Sequence, residues 1–88
     1  MTIEPETTAA LDLEELRTMI ADVIDVDVAE VTDDATFADD LEVDSLLALE
    51  LAVQFENHYG VKVAEDEIAQ FTDLRATHRL LAGKMAGV

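Results

Sequence analysis

Eighty-eight residues give one small domain, able to bury only about 60% of its unfolded surface and poorly suited to a deep catalytic cleft. No cysteine is present, which excludes disulfides, thiolate metal sites and thiol nucleophiles, so any thiol chemistry needs a cofactor. The 21 acidic residues against five lysines and arginines leave a net charge of −16, which argues against nucleic acid and anionic membranes and for basic protein partners.

In chain order, residues 1–10 hold Pro5, threonines and acids with little to bury, and read as a flexible leader to a domain over 11–88. They carry neither basic residues nor an apolar stretch, and later apolar runs are short and broken by charge. No signal peptide or membrane span is expected, and the default compartment is the cytoplasm. Leu13, Leu16, Ile20, Val23 and Ile24 recur at helical spacing and predict a helix over 12–25, with Asp12 and Glu15 suited to a capping box.

Between Asp25 and Asp44, isolated apolar residues are separated by acids. So long a connection within a small domain needs anchors, and Phe37 and Leu41 are the candidates. A second helix is predicted over 45–59, stopped by Gly60 in the left-handed conformation. Val61-Lys62-Val63 then reads as extended and Ala64 to Gln70 as a short helical turn around Ile68. Thr72 is placed to cap a last helix over 73–85, with a buried stripe of Leu74, Leu81 and Met85 and Thr77 or His78 between them. The expected fold is all-α: a small antiparallel bundle of three main helices and one short helix, with a long ordered loop between the first two.

On a wheel of about 100° per residue, the helix over 45–59 has two apolar sides. Ala48, Leu51, Ala52, Phe55 and Tyr59 form one, suited to the core. Leu46, Leu49 and Val53 form the other, interleaved with Glu50 and Asn57, while Leu47 lies at the boundary. A domain this small has no second core for that side. Leu49 and Val53, ringed by Glu42, Asp44, Glu50 and Glu56, read as a docking face in which charge speeds encounter and apolar contact supplies affinity. Leu46 and Leu47 either join that face or cover the loop or an acyl chain.

Asp44-Ser45-Leu46 stands at the start of that helix behind an acidic loop, where free N–H groups and the helix dipole favour a phosphate on the serine. The tripeptide alone is common, and Ser45 reads equally as an N-cap. Its setting is more specific: Val31-Thr32-Asp33-Asp34 before Phe37, Asp39-Asp40-Leu41, Glu50-Leu51, Tyr59-Gly60 and Phe71-Thr72-Asp73-Leu74. Over most of residues 11–85 the chain resembles the acyl carrier protein family. The resemblance implies 4'-phosphopantetheine on Ser45, with Asp44 helping the modifying phosphopantetheinyl transferase to position it. That enzyme would supply the magnesium site and the base while the serine hydroxyl attacks the pyrophosphate of coenzyme A.

The same resemblance implies a monomeric carrier, not an enzyme, that presents acyl or polyketide intermediates as thioesters to a ketosynthase, an acyltransferase and other acyl-processing enzymes with basic docking patches. Three positions depart from the family pattern: Glu42 where glycine is usual, Leu47 where a polar residue is common, and His78 in place of an aliphatic core residue. The first two lie beside Ser45 and favour polyketide or other specialised metabolism over primary fatty acid synthesis. A peptidyl carrier usually has a glycine-rich motif where this chain has Glu42-Val43-Asp44. Met1 and the lack of linker-like flanks point to a discrete protein.

Other readings are open to the same residues. Asp44 can simply orient the loop, and an acidic helical adaptor would bind partners without a prosthetic group. A serine hydrolase using Ser45, His58 and Asp44 is opposed by the missing Gly-x-Ser-x-Gly elbow and by a separation of roughly 20 Å along the helix. The acids at Asp25, Asp27, Glu30, Asp33 and Asp34 lack the glycine and terminal glutamate of a calcium loop and read as a solvated face, so no dedicated metal site is expected.

Overall fold

The computed structural model describes residues 11–86; the expected leader at 1–10 lies outside the described residues. Helices α1 (Leu13–Ile24), α2 (Ser45–Tyr59), α3 (Glu65–Ile68) and α4 (Leu74–Ala86) are joined by connections containing one 3-10 turn, Val28–Glu30, and no strand among the described residues. Helix α1 packs against α2 and α4, and α3 lies against α2. The all-helical bundle is the one expected, as is the stop at Gly60, whose φ of 69° is left-handed.

Helix ends follow from local chemistry. Asp12 opens α1 by accepting the Glu14 N–H at 3.0 Å, which satisfies a donor with no partner inside the helix. At the other end Asp25 takes a left-handed φ of 62°, and the Asp25 and Val26 N–H groups both return to the Ala21 carbonyl. The last helix begins one residue later than expected. Asp73, not Thr72, caps it, accepting the Ala76 N–H at 2.8 Å.

One core joins these pieces. Leu16, Ile20, Leu51, Phe55, Leu74 and Leu81 are fully buried, and the Phe55 and Phe71 rings meet in a T-shaped arrangement with centroids 5.4 Å apart. Thr77 takes the internal position in α4, buried with its hydroxyl donating to the Asp73 carbonyl at 2.8 Å. His78 lies at the margin, where Nε2 donates to the Leu11 carbonyl at 2.7 Å and ties the start of the domain to α4. Burial of that ring as a hydrocarbon would strand two polar atoms, and the Leu11 contact satisfies one of them.

The α1–α2 connection is ordered by its own anchors. Phe37 is buried as expected, but Val31 and Val43 are buried too, while Leu41 is only half-buried. Arg17 holds the segment from α1: it donates to the Val31 carbonyl, to Asp33 at 2.7 Å and to Glu14 at 2.8 Å. The second Asp33 oxygen accepts from Arg75 of α4 at 3.0 Å. Asp33 therefore departs from the solvated-face reading of this acidic stretch. Hydrogen bonds from Arg17 hold the Asp33 and Glu14 carboxyls below their ordinary pKa range.

Candidate functional site

Three short-range devices deliver Ser45. Residues 36–41 close on themselves, with the Asp40 and Leu41 N–H groups donating to the Thr36 carbonyl and the Asp40 carboxylate accepting the Thr36 N–H at 2.9 Å. Glu42 then turns the chain with a φ of 56°, a left-handed conformation costly for a residue with a Cβ. This is the position where glycine is usual, and its backbone gives the reason. The Val43 N–H returns to the Phe37 carbonyl at 2.7 Å, while the Phe37 N–H donates to the Thr72 carbonyl at 2.8 Å.

The turn leaves Asp44 extended at the N-cap of α2, where its Oδ1 accepts the Leu47 N–H at 2.9 Å. Ser45 is consequently the first helical residue rather than the cap. It is exposed, and its hydroxyl makes no hydrogen bond among the described residues. A side chain with no structural duty at a helix start suits a covalent attachment. The neighbouring helix-start N–H groups favour the phosphate that would follow.

Beside Ser45 lies an open groove of about 690 Å³ between the loop, the first turns of α2 and the end of α3. Val43, Ala48, Ile68 and Phe71 supply apolar walls, and Asp39, Asp44 and Glu65 supply carboxylates. Glu67 steadies the α3 side by accepting the Ala64 N–H at 2.8 Å and pairing with Lys84 at 2.7 Å. Its carboxyl is held below the usual range, first by the Lys84 hydrogen bond and then by the Ala64 N–H.

Away from the core, α2 exposes Leu46 (73%), Leu49 (49%) and Val53 (45%), while Leu47 is half-buried against the core. Glu42 and Glu50 are exposed around them. Glu56 is half-buried and has an internal partner, since one of its oxygens accepts the Val63 N–H at 2.8 Å. Sequence reasoning missed that bond, as well as the clamp formed by Arg17, Asp33 and Arg75. The scarcity of cations in so acidic a chain was the available signal for the clamp.

The structure does not assemble Ser45, Asp44 and His58 as a triad. His58 lies at the far end of α2, 3.9 Å from Glu15. Among the described residues no three His, Asp or Glu side chains gather as a metal site, and no helix is long and apolar enough to cross a membrane.

The family described as the phosphopantetheine attachment site matches residues 14–81, which span α1 through most of α4. The chain is 57% identical to polyketide-8 synthase acyl carrier protein 2 of Streptomyces avermitilis over 82 residues, covering 92% of this chain and 94% of that one. This chain belongs to the acyl carrier protein family. The acyl carrier protein of Petrotoga mobilis is 36% identical over 72 residues, covering 82% of this chain and 85% of its own. The meromycolate extension acyl carrier protein of Mycobacterium tuberculosis is 40% identical over 60 residues, covering 64% and 52% respectively. Acyl carrier proteins are carriers, not catalysts, and phosphopantetheine is their prosthetic group. The exposed, unbonded Ser45 hydroxyl fits such a group.

Proposed function

We propose that Ser45 Oγ carries the phosphopantetheine, and that the protein conveys intermediates of polyketide assembly as thioesters among partner enzymes as a cytoplasmic monomer. The observation that carries this reading is the separation of duties at the start of α2: Asp44 caps the helix, and Ser45 is left exposed beside an apolar groove. The high identity and nearly full coverage of the polyketide-8 synthase relative favour polyketide over fatty acid metabolism.

During attachment Ser45 Oγ bonds to phosphorus of coenzyme A as the pyrophosphate P–O bond breaks. Its proton passes to a base of the transferase, and the adenosine bisphosphate leaves. Asp44 keeps the first turn rigid so that the nucleophile is presented in one geometry. Once bound, the group supplies the thiol that this cysteine-free chain lacks. Leu46, Leu49 and Val53 then offer a partner an apolar contact, and Glu42 and Glu50 steer a basic surface onto it, with Glu56 contributing its second oxygen at the rim. The partners are the transferase, and ketosynthase and acyltransferase enzymes with basic patches.

Intact mass after coexpression with a phosphopantetheinyl transferase tests the attachment. The native chain is expected to gain one phosphopantetheinyl group and Ser45→Ala none. A modified Ser45→Ala chain overturns the assignment, and an unmodified native chain favours the adaptor reading.

A further inference from the structure

The groove beside Ser45 shares two of its lining residues with another depression. Ala69 and Thr72, which line it, also line a second recess of about 500 Å³ that continues over Gln70, Ala76 and Leu80 to Arg79. Ala76 and Leu80 share one side of α4 at four-residue spacing, Thr72 lies just ahead of the helix, and Arg79 stands beside Leu80 at the far end. From Leu74 to Arg79 the helix advances about 7.5 Å.

Charge changes sign along this track. Asp39, Asp44 and Glu65 line the serine end, whereas no carboxylate lines the second recess. Arg79 is exposed, has no ion-pair partner among the described residues, and also borders a recess shared with Arg75 and His78. Helix α4 carries three of the five cations of the chain and no acid. A neutral acyl chain tethered at Ser45 meets apolar wall at Val43, Ala48, Ile68 and Phe71, and again at Ala76 and Leu80. An anionic terminus is repelled at the serine end and attracted only at the Arg79 end, so the gradient selects both the cargo and its direction.

We propose that the recess ending at Arg79 is a subsite for the distal carboxylate of an ω-carboxyacyl cargo tethered at Ser45. This rests on the carrier reading above and adds the chemical class of cargo that the surface orients. The guanidinium presents a planar fork matched to a carboxylate, and Leu80 and Ala76 accept the methylenes before it. Solvent exposure makes the contact sensitive to salt, because the Debye length falls from about 30 Å at 0.01 M to about 3 Å at 1 M.

The test uses the full chain loaded at Ser45 with ω-carboxyacyl groups of increasing length and, in parallel, with their methyl esters. Loading is read by intact mass, and the contact by NMR of the Arg79 Nε–H and the Ala76 and Leu80 amides. For at least one chain length the free acid is expected to shift these signals and the ester to leave them unmoved. Arg79→Gln should abolish the difference, Arg79→Lys should retain part of it, and high salt should diminish it. Equal shifts from acid and ester, no shift from either at any length, or shifts indifferent to Arg79→Gln overturn the subsite while leaving the carrier reading intact. Absence of loading overturns both, since the track then has no tethered cargo.

Discussion

The two sides of α2 are built from the same kinds of residue and meet opposite fates. Leu51 and Phe55 are fully buried, whereas Leu49 and Val53, two positions away from each, remain about half exposed. Hydrophobicity alone does not explain the difference. Helices α1 and α4 close over the first side with Leu16, Ile20, Leu74 and Leu81, and among the described residues no further element covers the second. An apolar stripe left over after the core is complete is available for an intermolecular contact.

The strongest way to break the comparison is to shorten one leucine on each side. Leu51→Ala is expected to cost about 2–5 kcal/mol of stability, through lost burial and the cavity left behind. Leu49→Ala should stay within about 0.5 kcal/mol in the same urea titration, yet slow acyl transfer to a partner enzyme. Equal destabilisation would show that both sides are structural.

A second pair of variants separates folding from chemistry at the head of α2. Asp44→Ala should lose about 0.5–2 kcal/mol, because the Leu47 N–H loses its acceptor. Ser45→Ala should leave the melting temperature nearly unchanged, because Ser45 does not cap the helix, and should abolish attachment completely. A substantial loss of stability in Ser45→Ala would assign the serine a structural role that its geometry does not show.

Acid should expose the clamp that orders the α1–α2 connection. Folding depresses the Asp33 pKa, so its stabilising contribution is fully present above the unfolded value near 3.9 and is lost as pH falls through the lower folded value. Asp33→Asn should therefore lower the melting temperature at neutral pH and flatten its decline below about pH 4. A parallel curve for the variant would show that the Arg17 and Arg75 contacts contribute nothing in solution. A modest gain is expected at the turn before Asp44. Glu42→Gly should gain about 0.5–1 kcal/mol in thermal unfolding, as relief of the left-handed conformation outweighs the added chain entropy of glycine.

Helix existence and extent were legible because they depend on neighbours three or four residues apart. The apolar period marked α1 and α2, and Gly60 ended α2 where a left-handed residue was required. The assignment of caps was less secure, since Asp44 and Ser45, like Thr72 and Asp73, are adjacent residues of similar capping ability. The folded geometry decides between them, through which carboxylate accepts a helix-start N–H. Ser45 was nevertheless identifiable as the candidate attachment residue from the run of residues around it.

What the sequence by itself determined was the set of helices, the two-sided character of α2 and the chemical exclusions that follow from having no cysteine and so much negative charge. Tertiary structure alone decided which acids have internal partners. Asp33 joins Arg17 and Arg75 across 16 and 42 residues, and Glu56 reaches the Val63 N–H. It also decided that the recess beside Ser45 shares Ala69 and Thr72 with a second recess bordered by Arg79, 34 residues from Ser45 in the chain. Periodicity carries information over one or two helical turns, whereas these contacts depend on how separate elements pack, and chain spacing does not encode that geometry directly.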